Sequence, residues 1–175
     1  PTLATRTSHS VPGPAWKTNA FTLTVQGVVC HSMVGWRAGA YYVLDGADRA
    51  SWHFSVYQDG SVDQHYDTSQ QTWHAQAANA FTIGIEHEGG YDPVDEPLTP
   101  PQLDASVALV HWLSAQFGFP LDRTALHEHN EYANKPCPSN RIPWDAYIEG
   151  SGSMATLEER VASLEAGQAD ICYVL

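Results

Sequence analysis

HEHNEYANKPCP, residues 127–138, crowds two histidines, two glutamates, a lysine and a cysteine into twelve residues. His129 and Cys137 are borderline-soft donors of the kind zinc prefers, and a catalytic zinc needs three protein ligands with one position left open for water. The third ligand has to come from a distant segment, and His31, at the end of an apolar run, is the best candidate. An HxH pair by itself is weak evidence, because histidines and a cysteine also occur as ordinary buried or surface residues.

Outward from that stretch, 175 residues suit one globular domain with room for a core, plus a short appendage. With 43% hydrophobic and 11% aromatic residues, the composition is that of a folded protein. The 20 Asp and Glu against 8 Lys and Arg give a formal net charge of -12. That argues against nucleic acid or an anionic membrane surface as partner, since both reward clustered cations. Nine histidines offer metal or proton chemistry, although most of them could simply decorate the surface. Cys30, Cys137 and Cys172 form an odd set with no close pair, so no disulfide framework is expected and at least one thiol is free or metal-bound. No apolar run approaches the ~18 residues of a membrane span, so no membrane insertion is expected. No signal peptide opens the chain, so the expectation is a protein made soluble in a cytoplasm.

The pattern predicts an α/β domain over residues 1–148, with a mixed central β-sheet flanked by helices. Residues 1–20 read as an irregular arm held down by Trp16. FTLTVQGVVC, residues 21–30, is β-branched and apolar towards its end, and predicts a core strand that delivers His31 just past its last residue. Residues 37–44 predict a short helix stopped at Asp45-Gly46. Residues 51–57 and 61–66 alternate about Asp59-Gly60, a hairpin signature, and Trp73-His74 follow in a loop. FTIGIEHE, residues 81–88, predicts a strand with Ile83 and Ile85 on one face and Gly84 and Glu86 on the other. Thr99 reads as an N-cap with prolines in the first turn and Gln102 closing a capping box. Leu103, Val107, Val110 and Phe117 then carry a helical stripe to Gly118. Residues 125–127 resume an extended run and 142–148 predict a last short helix. EGSGS, residues 149–153, reads as a linker. In the tail, 154–175, Leu157, Val161, Leu164, Gln168, Ile171 and Leu175 follow a short heptad pattern. A small helix through which copies of the chain associate is one reading, and a tail docked on its own domain is the other.

GVVCHS, SWHFSVYQDGSVDQH, TWHA, NAFTIGIEHEGG and HNEYANKPCPS stand in that order over roughly residues 21–147. Together they resemble the type-2 N-acetylmuramoyl-L-alanine amidases, the zinc amidases of phage endolysins and bacterial wall recycling. The peptidoglycan recognition proteins share that fold. The Cys-Pro-Ser ending brings the resemblance nearest to the phage endolysins. It implies His31, His129 and Cys137 as the ligands of Zn2+. His129 lies eight residues before Cys137, and Glu131 and Lys135 then also fit the pattern H-x-E-x-x-x-K-x-C. Ten-residue spacings occur in the wider family, which leaves His127 as the alternative. Lys135 matches the lysine that steadies the oxyanion, and Glu86 matches the catalytic glutamate that moves the proton of the attacking water. The phage pattern often has a tyrosine where this chain has Trp52. No hydroxyl is offered there, so the acid/base role falls to Glu86 and Trp52 becomes a wall of the groove. Trp73 and His74 are expected at the substrate cleft, and His53 in a hydrogen-bonded structural role.

The implied activity is hydrolysis of the amide between N-acetylmuramic acid and L-alanine in bacterial peptidoglycan. The implied setting is the host cytoplasm until lysis, then the cell wall. A non-catalytic peptidoglycan-binding module of the same fold is the first rival, and a cytoplasmic muropeptide-recycling amidase the second. Loss of the cysteine ligand would favour the first and an aspartate at position 137 the second. A closed structural zinc site with four protein ligands remains a third.

Overall fold

The computed structural model describes residues 14–20 and 24–150. The first part of the arm, the linker past Gly150 and the heptad tail lie outside the described residues. In chain order the elements are β1 (Asn19–Ala20), β2 (Gly27–Ser32), α1 (Arg37–Asp45), β3 (Phe54–Val56), β4 (Val62–Gln64), β5 (Gln70–Gln71), β6 (Thr82–His87), α2 (Pro100–Phe117), β7 (Leu126–Glu128) and α3 (Trp144–Glu149). Short 3-10 turns lie at Ala15–Lys17, Gln76–Ala80 and His129–Glu131.

The main sheet is mixed, in the order β4-β3-β6-β2-β7. β2 runs parallel to both β6 and β7, β3 runs parallel to β6, and only the β3–β4 hairpin is antiparallel. Side chains alternate along each strand. One face therefore collects Val28, Cys30, Phe54, Val56, Ile83, Ile85 and Leu126, which pack on Val107, Val110 and Leu113 of α2 and Tyr147 of α3. Each such side chain, fully buried, contributes about 1.5–3 kcal/mol. The opposite face carries His31 and Glu86, and this division is what positions the site.

The first core strand is Gly27–Ser32: residues 24–26 lie before it and residues 21–23 lie outside the described residues, and it runs past Cys30, so His31 stands inside it rather than past its end. Pairing decides the boundary: Gly27 faces Thr82, the first residue of β6, and β6 runs on beside His31 and Ser32. Gly27 itself is a contact residue. A Cβ there would lie 2.1 Å from the Ala125 carbonyl oxygen, which accepts the Val28 N–H at 2.9 Å.

The remaining elements follow the sequence reading with two corrections. Thr99 caps α2 by accepting the Gln102 N–H, and Gly118 ends it in the left-handed conformation. Gln102, however, closes no capping box. Its buried side-chain amide donates to the carbonyls of Val56 (2.9 Å) and Glu88 (3.0 Å), tying the first turn of α2 to the ends of β3 and β6. Trp16 does not anchor the arm either, being 50% exposed, whereas the neighbouring Lys17 is fully buried. The Lys17 ammonium donates to Val43 O in the last turn of α1 (2.8 Å) and to Ala50 O (3.4 Å). A cation suits the carbonyl end of a helix, where the backbone dipole is negative. Among the described residues no helix is long and apolar enough to cross a membrane.

Gly27→Ala is expected to lower the unfolding free energy by about 1–3 kcal/mol or more, as overpacking against backbone does. Urea denaturation checks this; an unchanged midpoint would mean that β2 and β7 can separate without cost.

Candidate functional site

The parallel register sets His31 directly beside Glu86, both on the face turned away from α2. His129 opens the 3-10 turn that follows β7. That turn is held by a reciprocal cap between Glu128 and Glu131, in which each side chain accepts the other's backbone N–H. Cys137 arrives on the following arm, which is tied at both ends. Asn130 N–H donates to Cys137 O at 2.8 Å. Four residues on, the buried Arg141 guanidinium donates to Ser32 Oγ (2.8 Å), His87 O (3.2 Å), Glu88 O (2.8 Å) and Glu96 O (2.7 Å). The arm is thereby clamped to the ends of β2 and β6, and Ser32 N–H donates to Cys137 Sγ at 3.2 Å.

The result is a cluster in which one ligand atom each from His31, His129 and Cys137 lies within 4.8 Å of the others. His127 is not part of it. Its Nδ1 sits 3.0 Å from Glu131 Oε2 and its ring packs on Tyr132. Glu86 borders the cluster, with Oε1 3.9 Å from His31 Nδ1 and a buried Oε2 that has no hydrogen-bond partner among the described residues.

Electrostatically the cluster lacks a positive charge. Burial, and then the neighbouring histidines His74 and His129, hold His31 well below its ordinary pKa, so it is neutral at pH 7. Burial and then Lys135 lower His129 too. Burial, reinforced by Glu86, pushes the Cys137 thiol up to about 12, against the pull of the Ser32 amide. Burial raises Glu86 to about 8, only partly offset by Arg141 and Lys135. A divalent cation would reverse the shift of the thiol and satisfy the idle carboxylate edge. Two neutral imidazoles and a thiol are a donor set suited to zinc, whose bonds of about 2.0–2.3 Å need the three atoms only slightly closer together. These residues fit the ion.

Around the cluster lies a groove of about 720 Å³, whose lining includes Glu86, His129, Lys135, Trp52, Trp73 and His74. Trp52 is a fixed wall: its indole N–H donates to Ser55 Oγ (2.9 Å), which is bonded in turn to His65 Nε2 (2.8 Å). Trp73 has the Arg49 guanidinium over its ring at 4.4 Å. His53 is structural, with Nδ1 accepting the Gly84 N–H (3.0 Å) and Nε2 bonded to Gln70 O (2.7 Å). Trp36 and Tyr42 also line the groove, 55% and 82% exposed. Sequence reasoning missed both. An aromatic residue just before a helix was visible, but the side on which α1 faces the sheet was not. Arg141 and His87 were missed as well. The buried His87 Nδ1–H donates to the His31 carbonyl (2.9 Å), while Nε2 accepts from Ser106 Oγ (2.7 Å), which Tyr147 OH in turn bonds (2.7 Å).

An N/N/S donor set beside a buried carboxylate at the edge of a groove is the arrangement of a candidate metal-dependent hydrolase. The family model for N-acetylmuramoyl-L-alanine amidase matches residues 21–140, and the chain belongs to that family. It is 35% identical over 85 residues to N-acetylmuramoyl-L-alanine amidase A of Achromobacter lyticus, a match covering 46% of this chain and 48% of that protein. The match thus spans about half the length of that curated relative. Among solved structures, the endolysin N-acetylmuramoyl-L-alanine amidase LysCS of Clostridium intestinale is similar with a TM-score of 0.62 at 22% identity, covering 78% of this chain and 90% of that one. The endolysin of Thermus scotoductus bacteriophage Ph2119 is similar with a TM-score of 0.64 at 19% identity, covering 80% and 93%. At these identities the likeness is one of fold.

With a folded pKa near 8 against an ordinary 4.5, Glu86 holds an extra proton in the folded state between those values, so its contribution to stability falls as pH rises through that window. Chelator-treated Glu86→Gln is expected to melt several degrees above chelator-treated wild type at pH 8 and to match it at pH 4. Calorimetry showing equal melting at both pH values would mean that the carboxyl is not held neutral.

Proposed function

We propose that this chain is a zinc-dependent peptidoglycan amidase that cleaves the bond between N-acetylmuramic acid and the L-alanine of the stem peptide. The carrying observation is the convergence of His31, His129 and Cys137 within 4.8 Å, with Glu86 Oε1 3.9 Å from His31 Nδ1, at the edge of a groove. His31, His129 and Cys137 would hold the metal, which when bound supplies a Lewis acid for the scissile carbonyl and a water with its pKa lowered to about 7.

The chain's own groups do the rest. Glu86, whose burial raises its affinity for a proton, would be ionised beside a bound cation and in that form accepts the proton of the attacking water and returns it to the departing alanine nitrogen. Lys135, on the groove wall, meets the negative charge that develops on the carbonyl oxygen. Trp36, Tyr42 and Trp73 present apolar faces against which sugar or peptide can lie. The residues that buttress the donors (Arg141, His87 and the Glu128–Glu131 cap) keep the geometry from drifting, which transition-state stabilisation requires.

In this reading the chain acts as an endolysin on the cell wall of a phage host. The endolysin folds it resembles and the Cys-Pro-Ser ending support that setting. The recycling amidase is less favoured by the cysteine at position 137, and the non-catalytic module by the presence of all three donors.

Peptidoglycan treated with wild type is expected to gain N-terminal alanine without new reducing ends. Glu86→Gln should keep about one zinc per chain and lose turnover about 10²–10⁴-fold, Lys135→Met about 10²-fold or more, and Cys137→Ser both metal and activity. Tight zinc with no new amino termini on any peptidoglycan would make the site structural or binding-only.

A further inference from the structure

A histidine that ligates a metal through one ring nitrogen carries its proton on the other, and that N–H needs an acceptor to fix the tautomer and the ring. The two nitrogens of His31 have different surroundings. Nδ1 is the one near Glu86, and Nε2 lies 3.1 Å from Nδ1 of His74. His74 does not belong to the three-donor cluster. We propose that His74 is a positioning residue of the metal centre: its Nδ1 accepts the Nε2–H of His31 and so reserves His31 Nδ1 for the ion. This rests on the metal reading of His31, His129 and Cys137, and deepens it.

At 3.1 Å two imidazole nitrogens share a single proton, because two lone pairs or two N–H groups would repel. If that proton belonged to His74, the neutral His31 would carry its own on Nδ1 and could not ligate there. The other nitrogen of the His74 ring, Nε2, is buried and has no hydrogen-bond partner among the described residues, so the contact with His31 is the hydrogen bond that this ring makes. With its proton on Nε2 and His74 Nδ1 as the acceptor, His31 keeps Nδ1, the nitrogen that faces Glu86, free for the ion.

The position of His74 is built for this contact. Its ring rests on Gly84 of β6, where a Cβ would come within 2.6 Å of His74 Cγ and 2.9 Å of Nδ1. Gly84 pairs with Val29, two residues before the His31–Glu86 pair and on the same face. Only a strand without a side chain there lets an imidazole lie against the sheet beneath His31. The backbone is fixed too, since His74 N–H and Ala75 N–H both donate to Asn79 Oδ1 (2.9 and 2.6 Å). The glycine of IGIE thereby acquires a purpose, and TWHA and IGIE become parts of one device.

Long-range 1H–15N correlation spectra of the metal-free protein read the tautomer directly. Wild-type His31 is expected as the Nε2–H form. His74→Leu should populate both tautomers and weaken zinc about 10–100-fold in chelator competition. His74→Asn, whose amide oxygen stands near the place of Nδ1, should restore most of both. An Nδ1–H tautomer for wild-type His31 overturns the inference without any variant, so a misfolded His74→Leu does not spare it. Zinc bound by the wild type and equally by His74→Leu overturns this inference alone. No zinc bound by the wild type overturns the reading of the donor set and the inference together.

Discussion

The parallel register between β2 and β6 is the constraint on which the rest depends. It places His31 level with Glu86 and, by alternation, sends both away from the apolar face that α2 covers. A slip of one residue would turn His31 into the core and Cys30 into the groove. The large side chains of the apolar face, from Val28 to Leu126, make that slip costly. The hydrophobic core therefore acts at a distance as the gauge of the polar site.

Register alone does not bring in the third donor. Cys137 lies on an irregular arm that forms no strand, and its position depends on the buried Arg141 fork, which satisfies one side-chain and three backbone oxygens at once. A lysine there would be a single point charge and could not bridge so many acceptors in fixed directions. The same guanidinium lies near Glu86 and Cys137, and it is one of the few cationic influences on a cluster otherwise dominated by burial. Arg141 serves as both brace and counter-charge.

The residues proposed to carry the chemistry were picked out through the family resemblance, with local patterning alongside it. Strand alternation placed Glu86 opposite Ile83 and Ile85, and the spacing from His129 to Cys137 marked the donor arm. The helix capped at Thr99 and stopped at Gly118 was equally visible, since caps and left-handed stops are properties of a few neighbouring residues. What escaped reading depends on partners far away in sequence. Arg141 looks like any surface arginine until β2 and β6 bring their carbonyls to it. Gly84 looks like a weakness in a strand until His74 is seen resting on it. Lys17 was passed over for Trp16 because a buried lysine needs acceptors that only the end of α1 and the following loop provide. Strand limits were misjudged for the same reason: a strand extends as far as its neighbours do, whatever its own propensity.

The groove has two walls of different construction. One is the donor side, where β2, β6 and the arm to Arg141 are interlocked through shared hydrogen bonds. The other is α1, which carries Trp36 and Tyr42 at or beside it and meets that network only at its first residue. Lys17 holds its last turn, Tyr41 OH reaches Asp63 of the hairpin, and Arg37 N–H donates to Glu88. None of the exposed aromatic side chains on that wall supports a donor. The outer wall can accordingly change by substitution while the inner one stays constant, so the shape and chemistry of the groove's rim are separable from the geometry of the donor cluster.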